Sequence, residues 1–598
     1  MTEVETTVDV CVVGGGMAGL IAALAAARHG ASVALIQDRS VLGGNASSEV
    51  RIQICGADHS NNTWRETGIL EELRLNSLAH NDEHNPSVHD LALYDAARIQ
   101  PGLELFLNAQ VLACKVERRR VVSCTAHEIS SGRRLTFRGK HFVDATGDGT
   151  LAFLAGAEYR HGREGRDEHG ESLAPAVADN CTLGHSILFQ VADVGRPVPF
   201  TPPSWALTFE TDADLPGRSH GRTFGYWWIE WGGTLDTITD TEQIKDELLA
   251  AALGVWDHLK NRGDHGFSNH ALTWLGFLPG KRGSRRFIGD YVLAEQDLTE
   301  GRRFPDQIAY GGWPIDTHPP LGFRSPEPPC TQTALDRPYG IPLRCCYCRD
   351  FDNLFLAGRH ISATHVAHAS SRVMGTCAAI GQGVGTAAVL AASTDATARE
   401  LLERHIGDLQ QALLADGAYL LDLRSADPAD LARQATVSAS SCAGADFAPE
   451  HINAGCNHPE PGASHAWRSS PAAGLPAWIE LRWPGPVSLD RVQVILDTDF
   501  GSRLVLTQDP DYRRQVRPVP RAATVKDFEV QVEAEDRHTW STVASAEGNF
   551  QRLARMRFRT VETRALRVVA KATWGAECAS LFEVRCYGPE NGRGFATW

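Results

Sequence analysis

The sequence predicts an α/β chain with an α+β insertion, followed by an all-β sandwich. Three observations carry this. Residues 8–38 hold an apolar run, a glycine cluster, an alanine-rich stretch and a second apolar run, the pattern of a β-α-β unit. Residues 353–395 return to that pattern after a long stretch of different composition. From about residue 436, short alternating segments are separated by Gly and Pro, as in a β sandwich.

The first unit is the most informative. Residues 8–13 read as a buried parallel strand, 20–29 as a helix closed by Gly30, and 33–36 as a second strand. Between strand and helix, Gly14, Gly16 and Gly19 make G-x-G-x-x-G. In that context the motif is a dinucleotide fingerprint. Gly14 allows the tight turn, Gly16 a close approach to a pyrophosphate, and Gly19 close helix–strand packing. The helix N-terminus presents N–H groups to the phosphates. A carboxylate usually ends the second strand and meets the ribose. Here Gln37 stands at that place, with Asp38 next.

A second glycine pair follows in Gly43-Gly44-Asn45-Ala46-Ser47-Ser48-Glu49-Val50-Arg51. It suggests backbone passing close to a ligand, with Glu49 and Arg51 on one face of an extended segment. Residues 62–100 read mostly as helix, 103–107 and 110–116 as strands, and 121–129 with 134–137 as a hairpin. Residues 142–149 read as a strand ending in a small-residue turn, and 151–155 as a short helix.

Residues 156–336 are richer in Gly, Pro, Trp and Arg. Residues 224–233 are aromatic on both faces and predict a strand buried on both sides. Residues 242–260 predict an amphipathic helix, and Arg285 with Arg286 offers an anion site or a docking point. After the strand at 353–357 come Gly358, Arg359 and three histidines, His360, His365 and His368. A small-residue helix at 373–392 follows, its N-terminal half suited to press on a ligand. Residues 396–422 predict a charged, exposed helix. Sandwich strands are expected at 478–483, 489–496, 527–532, 555–560, 565–570 and 580–587.

The totals bound the function. A 598-residue chain with 43% hydrophobic residues holds about two to four domains. The net charge of −15 argues against a nucleic-acid partner. The fingerprint starts too early to leave room for a secretory leader, and the longest apolar runs look too short to span a bilayer. Fourteen scattered cysteines predict reduced thiols in a cytoplasmic protein. Cys345, Cys346 and Cys348 read as buried small hydrophobes, and no metal is expected at them or at the histidines.

These blocks resemble the FAD-dependent oxidoreductase family, glutathione-reductase-like flavoproteins akin to fumarate reductase flavoproteins. The likeness covers about residues 8–395. It implies FAD on a Rossmann-type domain, with Gly14, Gly16, Met17, Ala18 and Gly19 at the pyrophosphate. Gln37 or Asp38 with Arg39 would lie near the adenosine, and Val111 near the adenine. Gly43, Gly44, Asn45 and Ser47 would lie beside the flavin or its phosphates. Asp144, Ala145, Gly147 and Arg359 would line the cofactor, Gly358 would lie near the ribityl chain, and Gly383 and Val384 at the flavin carbonyl edge. Residues 436–588 resemble a discoidin-type, galactose-binding-like jelly roll.

The expected organisation is therefore a FAD-binding domain in two parts, 1–155 and 337–395, with a substrate domain at 156–336. A helical linker at 396–435 and the sandwich at 436–598 follow. With one fingerprint only, reducing equivalents are expected from the substrate or another protein, with oxygen or a redox protein as acceptor. The expected reaction is hydride transfer from a secondary alcohol of a sugar, glycoside or polyol, with His365 as base. His360 and His368 are the next choices, and Arg372 and Arg51 would hold a substrate oxygen or a reduced flavin. Two alternatives stay open: reduction of an activated double bond with an arginine as proton donor, and an inactive flavin fold that binds carbohydrate.

Overall fold

In the computed structural model, residues 2–589 are described. They form two compact units. Among the described residues the first comprises 2–60, 83–405 and 505–515, and the second 61–82, 406–504 and 516–589.

The first unit is built on β1 (Glu3–Val13), α1 (Met17–Arg28), β2 (Val33–Ile36), β3 (Leu103–Phe106), β4 (Ala109–Glu117), β5 (Arg120–Glu128), β6 (Arg133–Asp144) and β7 (Leu354–Leu356). The sheet order is β3-β2-β1-β6-β5-β4, with β7 also on β6. β1, β2 and β3 pair in parallel, as do β1 and β6. The apolar run of β1 is buried on both faces, as a covered parallel sheet requires.

β6 explains how two distant blocks meet. Its first half pairs antiparallel with β5, and its last three residues pair in parallel with β7. The chain returning after the insertion is thus set beside Asp144, whose carbonyl accepts the Ala357 amide at 2.8 Å. The carboxyl ends of β1, β2, β6 and β7 then lie along one edge. Ligands bind at that edge in open α/β sheets.

The insertion holds a core of Phe189, Val191, Tyr226, Trp228 and Trp256, with α2 (Thr241–Asn261) covering it. The aromatic stretch is not the strand expected from sequence. Only Glu230–Trp231 is strand, because glycines 225 and 232 take positive φ and break the extended run. Tyr226 stacks on Phe189 at 4.2 Å, whereas Trp227 is 39% exposed.

α3 (His365–Ser371) and α4 (Met374–Thr394) close the unit. By length and composition α4 could cross a membrane, contrary to the expectation from run lengths. Here, however, it is a core helix. A Cβ at Gly381 would lie 2.2 Å from the Ala18 carbonyl oxygen, and one at Gly385 2.2 Å from that of Ala22. The row of glycines therefore lets α4 pack backbone-close on α1.

The second unit is β-rich. Strands β8 (Ala477–Leu496), β9 (Val525–Glu533), β10 (Trp540–Ala546), β11 (Leu553–Thr573) and β12 (Ser580–Tyr587) pair antiparallel in the order β12-β8-β11-β9-β10. The expected strands 478–483 and 489–496 are one long β8, and 555–560 with 565–570 are one long β11. Pro484-Gly485-Pro486, which reads as a turn, falls within a register shift between Arg482 and Val487. Inward residues form a core of Trp467, Ile479, Leu481, Val494, Phe528, Val530, Leu566 and Val568.

Residues 62–100 are not one helix. Ile69–Ala79 belongs to the second unit and Pro86–Arg98 to the first. In the second unit the fully buried Glu71 pairs with Arg65 at 2.9 Å and Arg552 at 3.3 Å. Residues 396–422 are two short helices, Ala398–Arg404 and Ile406–Ala415, with Leu401, Leu409 and Leu413 buried rather than exposed.

Candidate active site

Four strand ends shape a cradle. Gly14, at φ +103°, has no room for a side chain: a Cβ would lie 2.4 Å from the Ala145 carbonyl. A Cβ at Gly19 would lie 1.8 Å from the Gly14 oxygen. At Gly16, the N-cap of α1 ahead of Met17 and Ala18, a Cβ would meet nothing nearer than the Gly44 Cα at 3.9 Å. Gly43 donates its amide to the Gly15 carbonyl at 2.9 Å. The two glycine segments thus lie backbone against backbone, which accounts for the second glycine pair.

Around this cradle the expected residues fall in several states. Ser47 is buried and donates to the Gly44 carbonyl, and Asn45 donates to the Lys281 carbonyl at 2.9 Å. Val111 and Ala145 are buried. Gln37 is buried and occupied by main chain at both ends of its amide. Next to it Asp38 is exposed, and Arg39 pairs with Glu49 at 3.2 Å. Glu49 and Arg51 therefore do not form a pair on one face.

Gly147, at φ +82°, and Gly358, at φ +125°, both take the left-handed backbone that favours glycine. A Cβ at Gly147 would strike the Arg359 guanidinium at 2.5 Å. Arg359 pairs with Asp148 at 2.9 Å, and Lys281 lies 2.7 Å from the same carboxylate. Burial pushes the Asp148 carboxyl up, but these two cations hold it below the ordinary aspartate value.

Two further residues of the family pattern are Gly383 and Val384. They lie inside α4, and a Cβ at Gly383 would meet the Ile308 carbonyl oxygen at 2.8 Å. The glycine at 383 is thus accounted for by close packing.

The three histidines differ. His360 is fully buried, its Nε2 3.1 Å from the Asp144 carbonyl. His365 is buried, and its main-chain amide donates to Glu164 at 2.8 Å. His368 donates Nδ1–H to the Arg359 carbonyl at 2.9 Å, which leaves the lone pair on Nε2. That Nε2 is buried with no hydrogen-bond partner among the described residues. Burial, then the field of Arg286, holds both His365 and His368 well below the ordinary histidine value. Both rings are neutral at neutral pH.

Arg372 pairs with Asp316 at 3.0 Å and lies 3.1 Å from His318 Nε2. His318 Nδ1 lies 2.6 Å from Glu230, and Arg282 lies 3.4 Å from that carboxylate. Trp227 sits edge-on to His318 at 6.0 Å. Arg51, at φ +62°, donates to Gln190 at 2.9 Å and lies over Trp274 at 4.2 Å. Gln190 in turn donates to Gln508 at 2.9 Å.

The residues fit FAD. The glycine cradle is bare where a pyrophosphate would lie, and the buried Arg359 Nε and His360 Nδ1 lack partners among the described residues. Residues 9–413 match the family model described as FAD dependent oxidoreductase. The chain belongs to this family. No curated protein matches it. Among solved structures the oxidoreductase is similar to chitosan-binding module 1 of a chitosanase/glucanase from Paenibacillus sp. IK-5. That match is 20% identical and covers 27% of this chain and 98% of that chain, with TM-score 0.20. It is also similar to the family 32 carbohydrate-binding module of Streptococcus pneumoniae EndoD, at 14% identity, covering 27% of this chain and 99% of that one, with TM-score 0.22.

Sequence reasoning missed Glu230, Asp316, His318, Arg282, Gln190 and Gln508 in the oxidoreductase. Gln190, Glu230 and Asp316 lie in short strands and the others in loops, and no spacing marks any of them. Arg286, expected at an anion, is instead spent on Glu164 at 2.8 Å, and Arg285 stacks on Phe153 at 3.7 Å. Cys345, Cys346 and Cys348 are buried, and burial raises all three thiols. They are not thiolates at neutral pH.

Proposed function

We propose that this FAD-dependent oxidoreductase oxidises a neutral, hydroxyl-rich substrate of the sugar, glycoside or polyol class at a secondary alcohol. Bound FAD supplies the hydride acceptor. The carrying observation is His368, with Nδ1–H tied to the Arg359 carbonyl and Nε2 left open and unprotonated. Such a ring takes the hydroxyl proton at Nε2. His365 is the neighbouring neutral ring, at 6.5 Å between centroids, and His360 serves position rather than proton transfer.

Charge balance supports a neutral substrate. Arg282, Arg286 and Arg372 each already face a carboxylate, and Arg51 is held by Gln190 and Trp274. No guanidinium in this set is left over for an acid. Trp227 offers an exposed ring beside the network, on which the apolar face of a sugar would stack. In this reading residues 1–155 and 337–395 form a Rossmann-type FAD domain. Residues 156–336 form the substrate domain, and 436–589 a jelly roll. The electrons leave to oxygen or a redox protein.

A second reading, reduction of an activated double bond, draws on one observation. Arg372 Nε is buried without a partner among the described residues, and burial lowers this guanidinium. Anaerobic stopped-flow separates the two. Sugars or polyols should bleach the flavin, and His368→Gln should slow bleaching by about 10²–10⁴-fold without loss of FAD. The rate should stay level as pH falls through 6.5. Bleaching unaffected by His368→Gln removes the base. Reoxidation of pre-reduced enzyme by enoates, with no bleaching by any alcohol, establishes the second reading instead.

A further inference from the structure

We propose that the insertion carries a divalent transition-metal site of the zinc class, made by Asp212, His220, His258 and His265. These residues are distinct from those of the candidate active site. Asp212 opens the 3₁₀ turn Asp212–Asp214 and His220 follows in the next loop. His258 lies in the last turn of α2, and His265 in the loop beyond its end. Their ligand atoms all lie within 4.8 Å of one another.

The geometry is that of a ligand shell. Asp212 Oδ1 lies 3.0 Å from His258 Nε2, 3.3 Å from His220 Nε2 and 3.5 Å from His265 Nε2. Zinc–ligand distances of about 2.0–2.1 Å in a tetrahedron give an edge of about 3.3 Å. The second shell is also in place. His258 Nδ1 lies 2.9 Å from the Phe209 carbonyl, and His220 Nδ1 lies 2.8 Å from the Arg218 carbonyl. A carbonyl only accepts, so Nδ1 carries the proton in each neutral ring and Nε2 presents a lone pair. Those lone pairs point at a carboxylate oxygen, which is itself an acceptor. Hydrogen bonding to it would need a second proton on both of these rings, which lie 5.3 Å apart between centroids. A cation held among the four would be the shared partner of both lone pairs and of the carboxylate oxygen.

The donor set selects the metal. Three imidazoles and one carboxylate suit Zn²⁺, Co²⁺ or Ni²⁺, whereas Ca²⁺ and Mg²⁺ want oxygen shells. With four protein ligands the site is closed and structural in type. It would fasten two loops to the end of α2. A second group, Cys456, Glu460 and His465, is weaker, because Arg424 and Tyr419 already occupy the Glu460 carboxylate.

The test uses the full-length, untagged, FAD-loaded protein. After dialysis against chelator, Co²⁺ should produce the intense ligand-field absorption of a tetrahedral site, saturating at one ion per chain, and Zn²⁺ should displace it. His220→Gln/His265→Gln, at the two partly exposed rings, should abolish that absorption and leave the flavin spectrum intact. Metal-free wild type should unfold at lower temperature than zinc-loaded wild type. A weak octahedral spectrum, or equal metal uptake by wild type and the double variant, overturns the site. Should the variant fail to fold, the wild-type stoichiometry and the zinc-dependent thermal shift decide it alone.

Discussion

Gln37 braces the glycine-rich turn from behind: its Oε1 accepts the Gly15 amide at 2.7 Å while its Nε2 donates to the Val41 carbonyl at 3.2 Å. A carboxylate at this position could accept the first bond but could not donate the second. The amide that reads as a departure from the fingerprint is therefore suited to holding two backbone segments in register. A Cβ at Gly15 would lie 3.0 Å from the Gln37 Cβ, so the brace is also tightly packed.

Removing that brace should loosen the cradle. Gln37→Ala loses one buried and one part-buried hydrogen bond and leaves the Gly15 amide unsatisfied, at a cost of about 1–3 kcal/mol. FAD affinity should fall by about tenfold or more, since about 1.4 kcal/mol is a factor of ten. Fluorescence titration of the apoprotein with FAD reads this directly. Wild-type affinity in Gln37→Ala would mean that the turn holds its shape without the side chain.

The glycines of α4 give a second prediction. Gly385→Ala gains about 1 kcal/mol of helix propensity but places a methyl 2.2 Å from the Ala22 carbonyl oxygen. Forcing α1 and α4 apart costs about 1–3 kcal/mol or more, so the net change should be destabilising. Gly30→Ala is the control. It has nothing within 4 Å and pays only for φ +86°, about 1–2 kcal/mol. Thermal release of flavin should come earlier in Gly385→Ala than in Gly30→Ala. The reverse order would show that the helices yield easily.

How much was legible follows from where the constraints lie. The cradle was readable because its needs are local: strand, turn and helix succeed one another from residue 8 to 38, and steric demand at Gly14 and Gly19 writes itself as glycine. Arg372 was legible as a candidate, but its partners Glu230, Asp316 and His318 were not, because they stand up to 142 residues from it and each looks like an ordinary polar residue. The aromatic stretch misled for a related reason. Composition shows burial but not the backbone, and the flanking positive-φ glycines turn it out of strand geometry. In β8 the error ran the other way: Pro and Gly mark a turn from sequence, yet a bulge in a long strand uses the same residues.

Acid should unfold the first unit through its buried histidines. Burial lowers His89 and His185 to about 4, and His141 to about 3, from an unfolded value of 6.5. Between the folded and unfolded values the unfolded chain binds more protons, so stability rises with pH there. The contribution is complete above about pH 6.5 and is lost as pH falls towards 4. From about pH 7 to about pH 5 each ring should cost on the order of 2 kcal/mol. His185 is the cleanest probe, because its Nε2 faces the Thr237 carbonyl at 2.7 Å while Nδ1 is buried without a partner among the described residues. His185→Gln keeps a donor for Thr237 but takes up no proton on unfolding. Denaturant midpoints measured across this range should show a pH slope smaller by about one proton in the variant. An unchanged slope would mean that His185 is already protonated in the folded enzyme.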